Sequence, residues 1–458
     1  MNNSSNISDM TKGNPVRLII KFAIPLIASN LLQQVYSIVD SAIVGRGCGI
    51  SALAAVGAAD WLNWFVIWVI HGFTLGFSIL TAQTFGANDM VRLRKSVTMS
   101  VVLCVIISAV MTTGCLAALL PALRFLNTPA EIIGGSLEYL QIIFSAIGIV
   151  AAYNMSSAIL RALGDSRTPL VAMIIATVIN VVLDIVFVLW FHWGLRGAAA
   201  ATVAAQLFSF LYCLYKLRQL PLLKMNRKDW QFSPGVCWEL QKLGVPIALS
   251  MAVITIGGMV VQFVVNRYGV SFVAGFTATN KLYGLLESIS LALGFAVSTF
   301  VGHNYGALQL QRIRQGLRQM VPVMIVTSSF FAVVFVFTGK LLLRMFISES
   351  EVNAPEVEAI AYKYLMIMSV CLVGLYAVNI YRSAAQALGC AASSSFSGVV
   401  ELAMRATAVL LLPQFFGKEC IYFAEPAAWF GAALYLFICF YWELNKIEKN
   451  NLTTRISP

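Results

Sequence analysis

Gln83-Thr84-Phe85-Gly86-Ala87 closes one apolar run just before the basic residues Arg92, Arg94 and Lys95. His303-Asn304-Tyr305-Gly306-Ala307 closes another just before Arg312, Arg314 and Arg318. About 220 residues separate the two, and a similar offset holds along the chain. Pro25 heads a long apolar run that passes Asp40, Gly45 and Arg46, and Pro246 heads one that ends at Asn266-Arg267-Tyr268. Glu138-Tyr139-Leu140 is answered by Lys363-Tyr364-Leu365, Asn154 by Asn379, and Ala162-Leu163-Gly164 by Ala387-Leu388-Gly389. The chain is therefore an internal duplication. A duplicated bundle with an even number of spans per half keeps its orientation, so its halves are expected to be related by an axis along the membrane normal, as in many secondary transporters.

Composition sets the medium. Of the 458 residues 59% are hydrophobic and 11% charged, and mean hydropathy is +0.82, too apolar for a soluble chain of this length. Met1 to Asn14 is polar and reads as a tail, not a cleavable signal. The nine cysteines are scattered, several inside apolar runs (Cys104, Cys115, Cys213, Cys371, Cys439), with no CxxC pair. They read as small hydrophobes.

A bilayer core needs about 20 apolar residues per helix. By that rule the sequence predicts an all-α integral membrane protein with twelve transmembrane helices in two pseudo-symmetric six-helix lobes. The first-half spans fall near 17–44, 54–83, 95–120, 131–160, 168–191 and 196–216. Those of the second half fall near 241–266, 273–302, 319–343, 359–387, 395–416 and 424–444. The implied organisation is a tail over 1–16, an N-lobe over 17–216, a linker over 217–238, a C-lobe over 239–444 and a tail over 445–458. With the N-terminus inside, the inner segments collect Lys12, Arg17, Arg92, Arg94, Lys95, Arg161, Arg167, Lys216, Arg218, Lys224, Arg227, Lys228, Arg312, Arg314, Arg318, Lys446, Lys449 and Arg455. The outer loops keep Arg46, Arg124, Arg196, Arg267, Lys340, Arg344 and Lys418. The inside excess is more than two to one, so both termini are expected to be cytoplasmic. The same bias accounts for the net charge of +11, and no nucleic-acid module is present.

Acidic residues inside spans are costly unless they meet a cavity or a partner. Asp40 lies about five residues short of the outer end of span 1, roughly 8 Å along the helix. Asp184 lies at a similar depth in span 5, with Asn180 one turn earlier on the same face. Thr202 enters from span 6. Two carboxylates, an amide carbonyl and a hydroxyl suit a hard cation such as Na+. They equally suit H+, because a desolvated carboxyl beside a like charge holds a proton. In the second half Val261 aligns with Asp40, Arg405 with Asn180 and Val409 with Asp184. Coupling chemistry is therefore expected in the first half only. Glu287 in span 8 is the deep acid left there, with Lys281 as its nearest partner along the helix, and Glu401 and Arg405 are spaced to neutralise each other.

With these residues assembled, the chain resembles the multidrug and toxic compound extrusion (MATE) family, closest to its DinF-like and MepA-like bacterial branch. The resemblance runs from about Asn14 to Trp442 and rests on Pro25 through Val39-Asp40 and Gly45, on Gln83-Thr84-Phe85-Gly86-Ala87, and on Arg161-Ala162-Leu163-Gly164-Asp165-Ser166-Arg167-Thr168-Pro169. Asn180-Val181-Val182-Leu183-Asp184 and Gly197-Ala198-Ala199-Ala200-Ala201-Thr202 complete it. It implies an antiporter that expels bulky, usually cationic amphiphiles in exchange for inward Na+ or H+, with no cofactor. It also implies that Asp40, Asn180, Asp184 and Thr202 form the N-lobe coupling site, with Na+ possible there, and that span 1 bends near Pro25. Other members carry an acid in span 7, where this chain offers only Gln262.

Candidates for a substrate cavity are Gln34, Tyr36, Tyr139, Asn154, Met173, Met259, Tyr283 and Tyr376, since aromatics and methionines repack around varied ligands. Trp61, Trp64, Trp68, Trp190 and Trp193 read as an interfacial belt. His71, His192 and His303 show no ligand spacing, and His303 reads as a loop or cap residue. Asp165 reads as a helix-end residue, and Gly72, Gly76, Gly257 and Gly258 as points of close helix approach. A flippase for lipid-linked saccharides is the nearest alternative, but the spans hold almost no arginine besides Arg405 to meet a pyrophosphate. An integral-membrane enzyme is disfavoured, since the sequence has no H-E-x-x-H, G-x-S-x-G or P-loop motif. The expected setting is a bacterial plasma membrane, with small-molecule and lipid partners and a monomeric transporter.

Overall fold

In lipid every backbone N–H and C=O must be satisfied within the segment, so long apolar runs fold as helices. The computed structural model describes residues 7–126, 128–345 and 353–456, and among these no strand occurs. The first six residues of the expected N-terminal tail, the last two of the C-terminal tail and the side chain of Arg455 lie outside the described residues. The first half contains α1 (Pro15–Cys48), α2 (Ile50–Gly86), α3 (Met90–Phe125), α4 (Ala130–Ser145), α5 (Ile147–Ala162), α6 (Arg167–Asp184) and α7 (Gly194–Gln219). The second contains α8 (Pro234–Val265), α9 (Val270–Gly306), α10 (Leu310–Leu343), α11 (Ala354–Val370), α12 (Leu372–Ala387), α13 (Ala391–Ala406), the short α14 (Pro413–Phe416) and α15 (Ala424–Ile456). Among the described residues ten helices are long and apolar enough to cross a bilayer, or up to twelve when α4 with α5 and α11 with α12 each count as one span.

Those two spans depart from the straight helices expected over 131–160 and 359–387. Each bends by 50°, at Ala146 (φ −99°, ψ 10°) and at Cys371 (φ −88°, ψ 2°), where the backbone leaves the helical well. The breaks occupy equivalent places in the two halves, and other backbone specials are paired in the same way. Gly49 and Gly269 have φ of 86° and 89°, Asn88 and Leu308 both 57°, and Gly164 and Gly389 86° and 90°. The last pair ends α5 and α12 with the left-handed glycine that the Ala-Leu-Gly repeat implies. Span 5 and its counterpart share a further irregularity: α6 continues as a π-helix over Ile185–Trp190, and α13 as one over Thr407–Leu411.

Two compact units result, one from Met1–Asp9 with Ile24–Ala248 and one from Met10–Ala23 with Leu249–Pro458. In the first, α2 packs on α3, α4 and α5, and α7 on α4, α5 and α6. In the second, α9 packs on α10, α11 and α12, and α15 on α12 and α13. Lipid supplies no hydrophobic drive between helices, so small residues and hydroxyls fix these contacts. Ser136 Oγ on α4 donates to the Ala55 carbonyl of α2 (2.7 Å), and Thr279 Oγ1 on α9 donates to the Ala361 carbonyl of α11 (2.9 Å). The same interface is thus pinned in each half, with the donor on opposite helices. Close approach is clearest where α2 meets the start of α8. A Cβ on Gly72 would lie 2.6 Å from the Ala248 Cα, and one on Gly76 2.5 Å from the Gly244 Cα.

The polar segments are tied down too. The linker forms 3-10 turns at Pro221–Leu223 and Arg227–Trp230 and lies along α3. There Thr98 Oγ1 donates to the Asp229 carbonyl at 2.7 Å and Arg94 pairs with Asp229 at 3.3 Å. Asp165 caps α6, accepting from the N–H groups of Arg167 and Thr168, both at 3.0 Å. In the second unit Met10 is fully buried, and its carbonyl accepts from Asn304 Nδ2 at 3.0 Å and Arg312 Nη2 at 3.3 Å. Its N–H donates to His303 Nδ1 at 3.4 Å. His303, expected as a loop or cap residue, is thus a buried residue of the last turn of α9, its carbonyl accepting from the Ala307 N–H at 3.0 Å.

Candidate functional site

Each half places a pair of buried polar residues just before its π-helix, Asn180 with Asp184 and Glu401 with Arg405. Asp184 is the last α-helical residue before Ile185–Trp190, with Asn180 one turn back, and both are fully buried. The π-helix changes the residue count per turn just there, a device that re-aims side chains at functional sites. Asp40, half-buried on α1, lies close enough to Asp184 for the two carboxyls to interact electrostatically, and Asn180 stands one turn before Asp184 on α6. Thr202 on α7 completes the group. Its Oγ1 accepts from Asn180 Nδ2 and from the Tyr36 hydroxyl, both at 3.5 Å. The four expected coupling residues thus come together in one unit, with Tyr36 beside them.

The group is short of protons. Asp40 Oδ1, both carboxylate oxygens of Asp184 and Asn180 Oδ1 are buried with no donor from the protein. Two facing carboxyls form a hydrogen bond only when a proton lies between them. Without it, two like charges share a space of low dielectric and need a cation. A positive charge would complete the arrangement. Na+ fits through its preference for oxygen ligands, and a proton fits through the carboxyl pair itself.

Tyr139, buried on α4, lies in the field of Asp40, Tyr36, Asp60 and Asp184. Asp60 on α2 was not among the expected residues. Its signal was the same as that of Asp40, an acid several residues inside an apolar span. The other cavity candidates are dispersed. Gln34, Tyr36, Asn154, Met259 and Tyr283 are half-buried, whereas Met173 and Tyr139 are each 7% exposed and Tyr376 0%. Tyr376 therefore belongs to the packed core of the second unit. Asn154 Nδ2 donates to the Val150 carbonyl at 2.9 Å and meets His71. α1 runs as helix through Pro25, which leaves the Lys21 carbonyl without its usual donor.

The second half holds a charge network that the sequence reading resolved only in part. Glu401 and Arg405 do pair, at 3.3 Å. Arg382 on α12, overlooked in the arginine count of the spans, also donates to Glu401. Arg405 in turn grips Glu425 on α15 through two bonds of 3.0 and 2.8 Å. Glu287 on α9 sits against this group, near Tyr283, Arg405, Arg382 and Glu425. Lys281, expected as its partner, is on an exposed face of α9, because a spacing of six residues points the two side chains apart on a helix. Among the described residues no three of His, Cys, Asp and Glu gather where they could hold a metal ion.

A family model described as MatE matches residues 25–186 and 246–407. The probable multidrug resistance protein YpnP of Bacillus subtilis is 33% identical over 360 residues, 78% of this chain and 79% of that one. The probable multidrug resistance protein YoeA of the same organism is 30% identical over 355 residues, 76% and 75% of the two chains. Among solved structures, a MATE crystal structure in complex with MaL6 is similar with a TM-score of 0.89 at 20% identity, covering 96% of this chain and 99% of that one. A MOP superfamily transporter from Pyrococcus furiosus reaches 0.91 at 20% identity, covering 98% and 100%. The two matched segments coincide with the two halves of the internal repeat.

Proposed function

This chain belongs to the MatE family, a family of multidrug efflux transporters, and from that membership we propose that it is an antiporter exporting amphiphilic cations in exchange for inward H+ or Na+. The observation that carries the reading is the pair Asp40 and Asp184, whose buried oxygens lack donors from the protein. A site that is incomplete without a positive charge can take one up on the side where it is abundant and release it on the other. Asn180 and Thr202 supply the remaining oxygens, and Tyr36 holds Thr202 in place. The ion changes the balance between two states only through its different affinity for each, and Asp40 is the residue through which α1 joins that difference. Pro25, where α1 lacks a backbone bond, is the point at which α1 bends as the site fills. Export then proceeds by alternating access of the two lobes in a bacterial plasma membrane, with both termini cytoplasmic as the basic residues favour. One chain with twelve spans is the working unit.

Arg382 and Arg405 raise the flippase reading again, since buried arginines in a cavity meet pyrophosphates. In this chain both are engaged by Glu401 and Glu425, so the cation reading is favoured. Proteoliposomes offered ethidium and a lipid-linked pyrophosphate in parallel test the choice. Gradient-driven movement of ethidium alone is expected, and movement of the lipid alone would reverse the conclusion.

A further inference from the structure

The polar linker after α7 is fastened to α3 along its length. Leu223 and Asp229 are buried. The Asp229 carbonyl accepts from Thr98 Oγ1 and its carboxylate pairs with Arg94, while the carbonyls of Lys228 and Gln231 accept from Lys95 Nζ. Asn226 and Asp229 cap the turn Arg227–Trp230 reciprocally. The partners on α3 lie near its start: Thr98 is eight residues past Met90, about 12 Å along the helix. Lys95 is the last charged residue before the apolar run of that span. The linker is therefore held at the level where water gives way to lipid.

What it presents outward is aromatic and basic. Trp230 and Phe232 are 52% and 65% exposed, and Trp238, in the first turns of α8, 62%. Aromatic rings left open in this way suit a membrane interface, where one side meets hydrocarbon and the other headgroups. Lys224, Arg227 and Lys228 are exposed along the same short segment, and Lys242 lies over the Trp238 ring at 5.4 Å. The two acids of the segment are engaged elsewhere, Asp229 by Arg94 and Glu239 by Arg92. Among the described residues no carboxylate pairs with Lys224, Arg227, Lys228 or Lys242. The surface is left positively charged beside exposed rings.

We propose that this face of the linker binds anionic phospholipid in the leaflet beside it, the inner leaflet in the orientation that the basic residues favour. Lys224, Arg227 and Lys228 meet the headgroup phosphates, and Trp230 and Phe232 enter the boundary between headgroups and acyl chains. A polybasic segment next to a membrane helix is drawn to the negative potential of such lipid, and each cation adds to the attraction. The rings direct to the bilayer a charge that alone would attract any soluble acid equally. Because Arg94, Lys95 and Thr98 already hold the backbone, little order is lost on binding. The surface lies apart from the Asp40–Asp184 pair and needs no transport to act.

Titration of fluorescent phosphatidylglycerol and phosphatidylcholine into the purified full chain in neutral detergent reads this binding. The native chain is expected to prefer phosphatidylglycerol, less so at high salt. The triple variant Lys224→Gln, Arg227→Gln, Lys228→Gln should raise its apparent Kd for that lipid about fivefold or more. A second triple, Lys12→Gln, Lys21→Gln, Lys446→Gln, removes as much charge from other exposed positions and should leave the Kd nearly unchanged. In nanodiscs of brominated phosphatidylglycerol, the fluorescence that Trp230→Phe removes is expected to be quenched by the lipid in the native chain. No headgroup preference in the native chain, equal losses in the two triples, or Trp230 emission untouched by brominated lipid would each overturn the proposal. So would glycerol 3-phosphate competing as well as the lipid itself, since the rings would then contribute nothing.

Discussion

Asp40 on α1 and Asp184 on α6 bring their carboxyls together with no protein donor for Asp40 Oδ1 or for either Asp184 oxygen. Asp184 stands at the junction of an α-helix and a π-helix. The contact holds when a cation or a proton occupies it and is repulsive when neither does. That dependence would be the physical basis of the proposed coupling.

Thr202 is expected to tune the ion, not to abolish its binding. Its hydroxyl is one oxygen among several, and a hydrogen bond or ligand contact to a charged group contributes about 1.5–3 kcal/mol. Thr202→Val should therefore raise the driving-ion concentration for half-maximal efflux by about tenfold or more while leaving the maximal rate within a few-fold. Tyr36→Phe, which removes only the 3.5 Å bond to Thr202, should give a smaller shift in the same direction. An ion titration of initial efflux rates reads both.

Gly76→Ala should destabilise the protein, since its new methyl would lie 2.5 Å from the Gly244 Cα and backbone cannot yield as a side chain can. Overpacking of this kind costs about 1–3 kcal/mol. Gly114→Ala on α3, with nothing within 4 Å of the added Cβ, should be neutral or stabilising. Thermal unfolding of the two variants in the same detergent makes the comparison.

Arg405→Met should be among the most damaging changes in the second half. It leaves Glu425 without its two bonds and Glu401 with Arg382 alone, and breaking a buried ion pair from one side costs about 3–5 kcal/mol. Adding Glu425→Gln should recover most of the loss. The yield of monodisperse protein and its unfolding temperature, in a double-mutant cycle, give the answer.

Gly164→Ala and Gly389→Ala separate backbone strain from contact. Both glycines have left-handed φ, 86° and 90°, which disfavours alanine by about 1–2 kcal/mol. At Gly164 the added Cβ would also meet the Ser8 carbonyl and break the bond from the Ser8 N–H to the Gly164 carbonyl at 3.1 Å. Gly164→Ala should therefore be the worse of the two, with faster proteolysis near Ser8. Equal effects would show that the N-terminal contact contributes nothing.

Much of this architecture was legible in the sequence because membrane helices announce themselves by length and apolarity, and the repeat supplied a check on each boundary. Pro25 with Pro246 and Gly164 with Gly389 read correctly as equivalent positions. The bends at Ala146 and Cys371 were not legible, since alanine and cysteine carry no helix-breaking signal and neither residue is a proline. The π-helices were hidden for a similar reason: Ile185–Trp190 is as apolar as any ordinary span. At the site, Asp40, Asn180, Asp184 and Thr202 could be listed from depth alone. Asp60 needed only the same test applied to span 2. The network of Arg382, Glu401, Arg405 and Glu425 was harder, because local spacing pairs Glu401 with Arg405 but cannot show that α12 and α15 deliver Arg382 and Glu425 to the same place.

The central claim is that the Asp40–Asp184 pair couples an ion to export. Its most direct test is efflux of ethidium from proteoliposomes under separately imposed Na+ and H+ gradients, for the native chain, Asp40→Asn and Asp184→Asn. The expected result is efflux driven by one of the two gradients in the native chain, reduced about a hundredfold or more in both variants, a loss of at least ~2.7 kcal/mol of coupling. Efflux that ignores both gradients in the native chain, or that persists at native rates in both variants, would contradict the account.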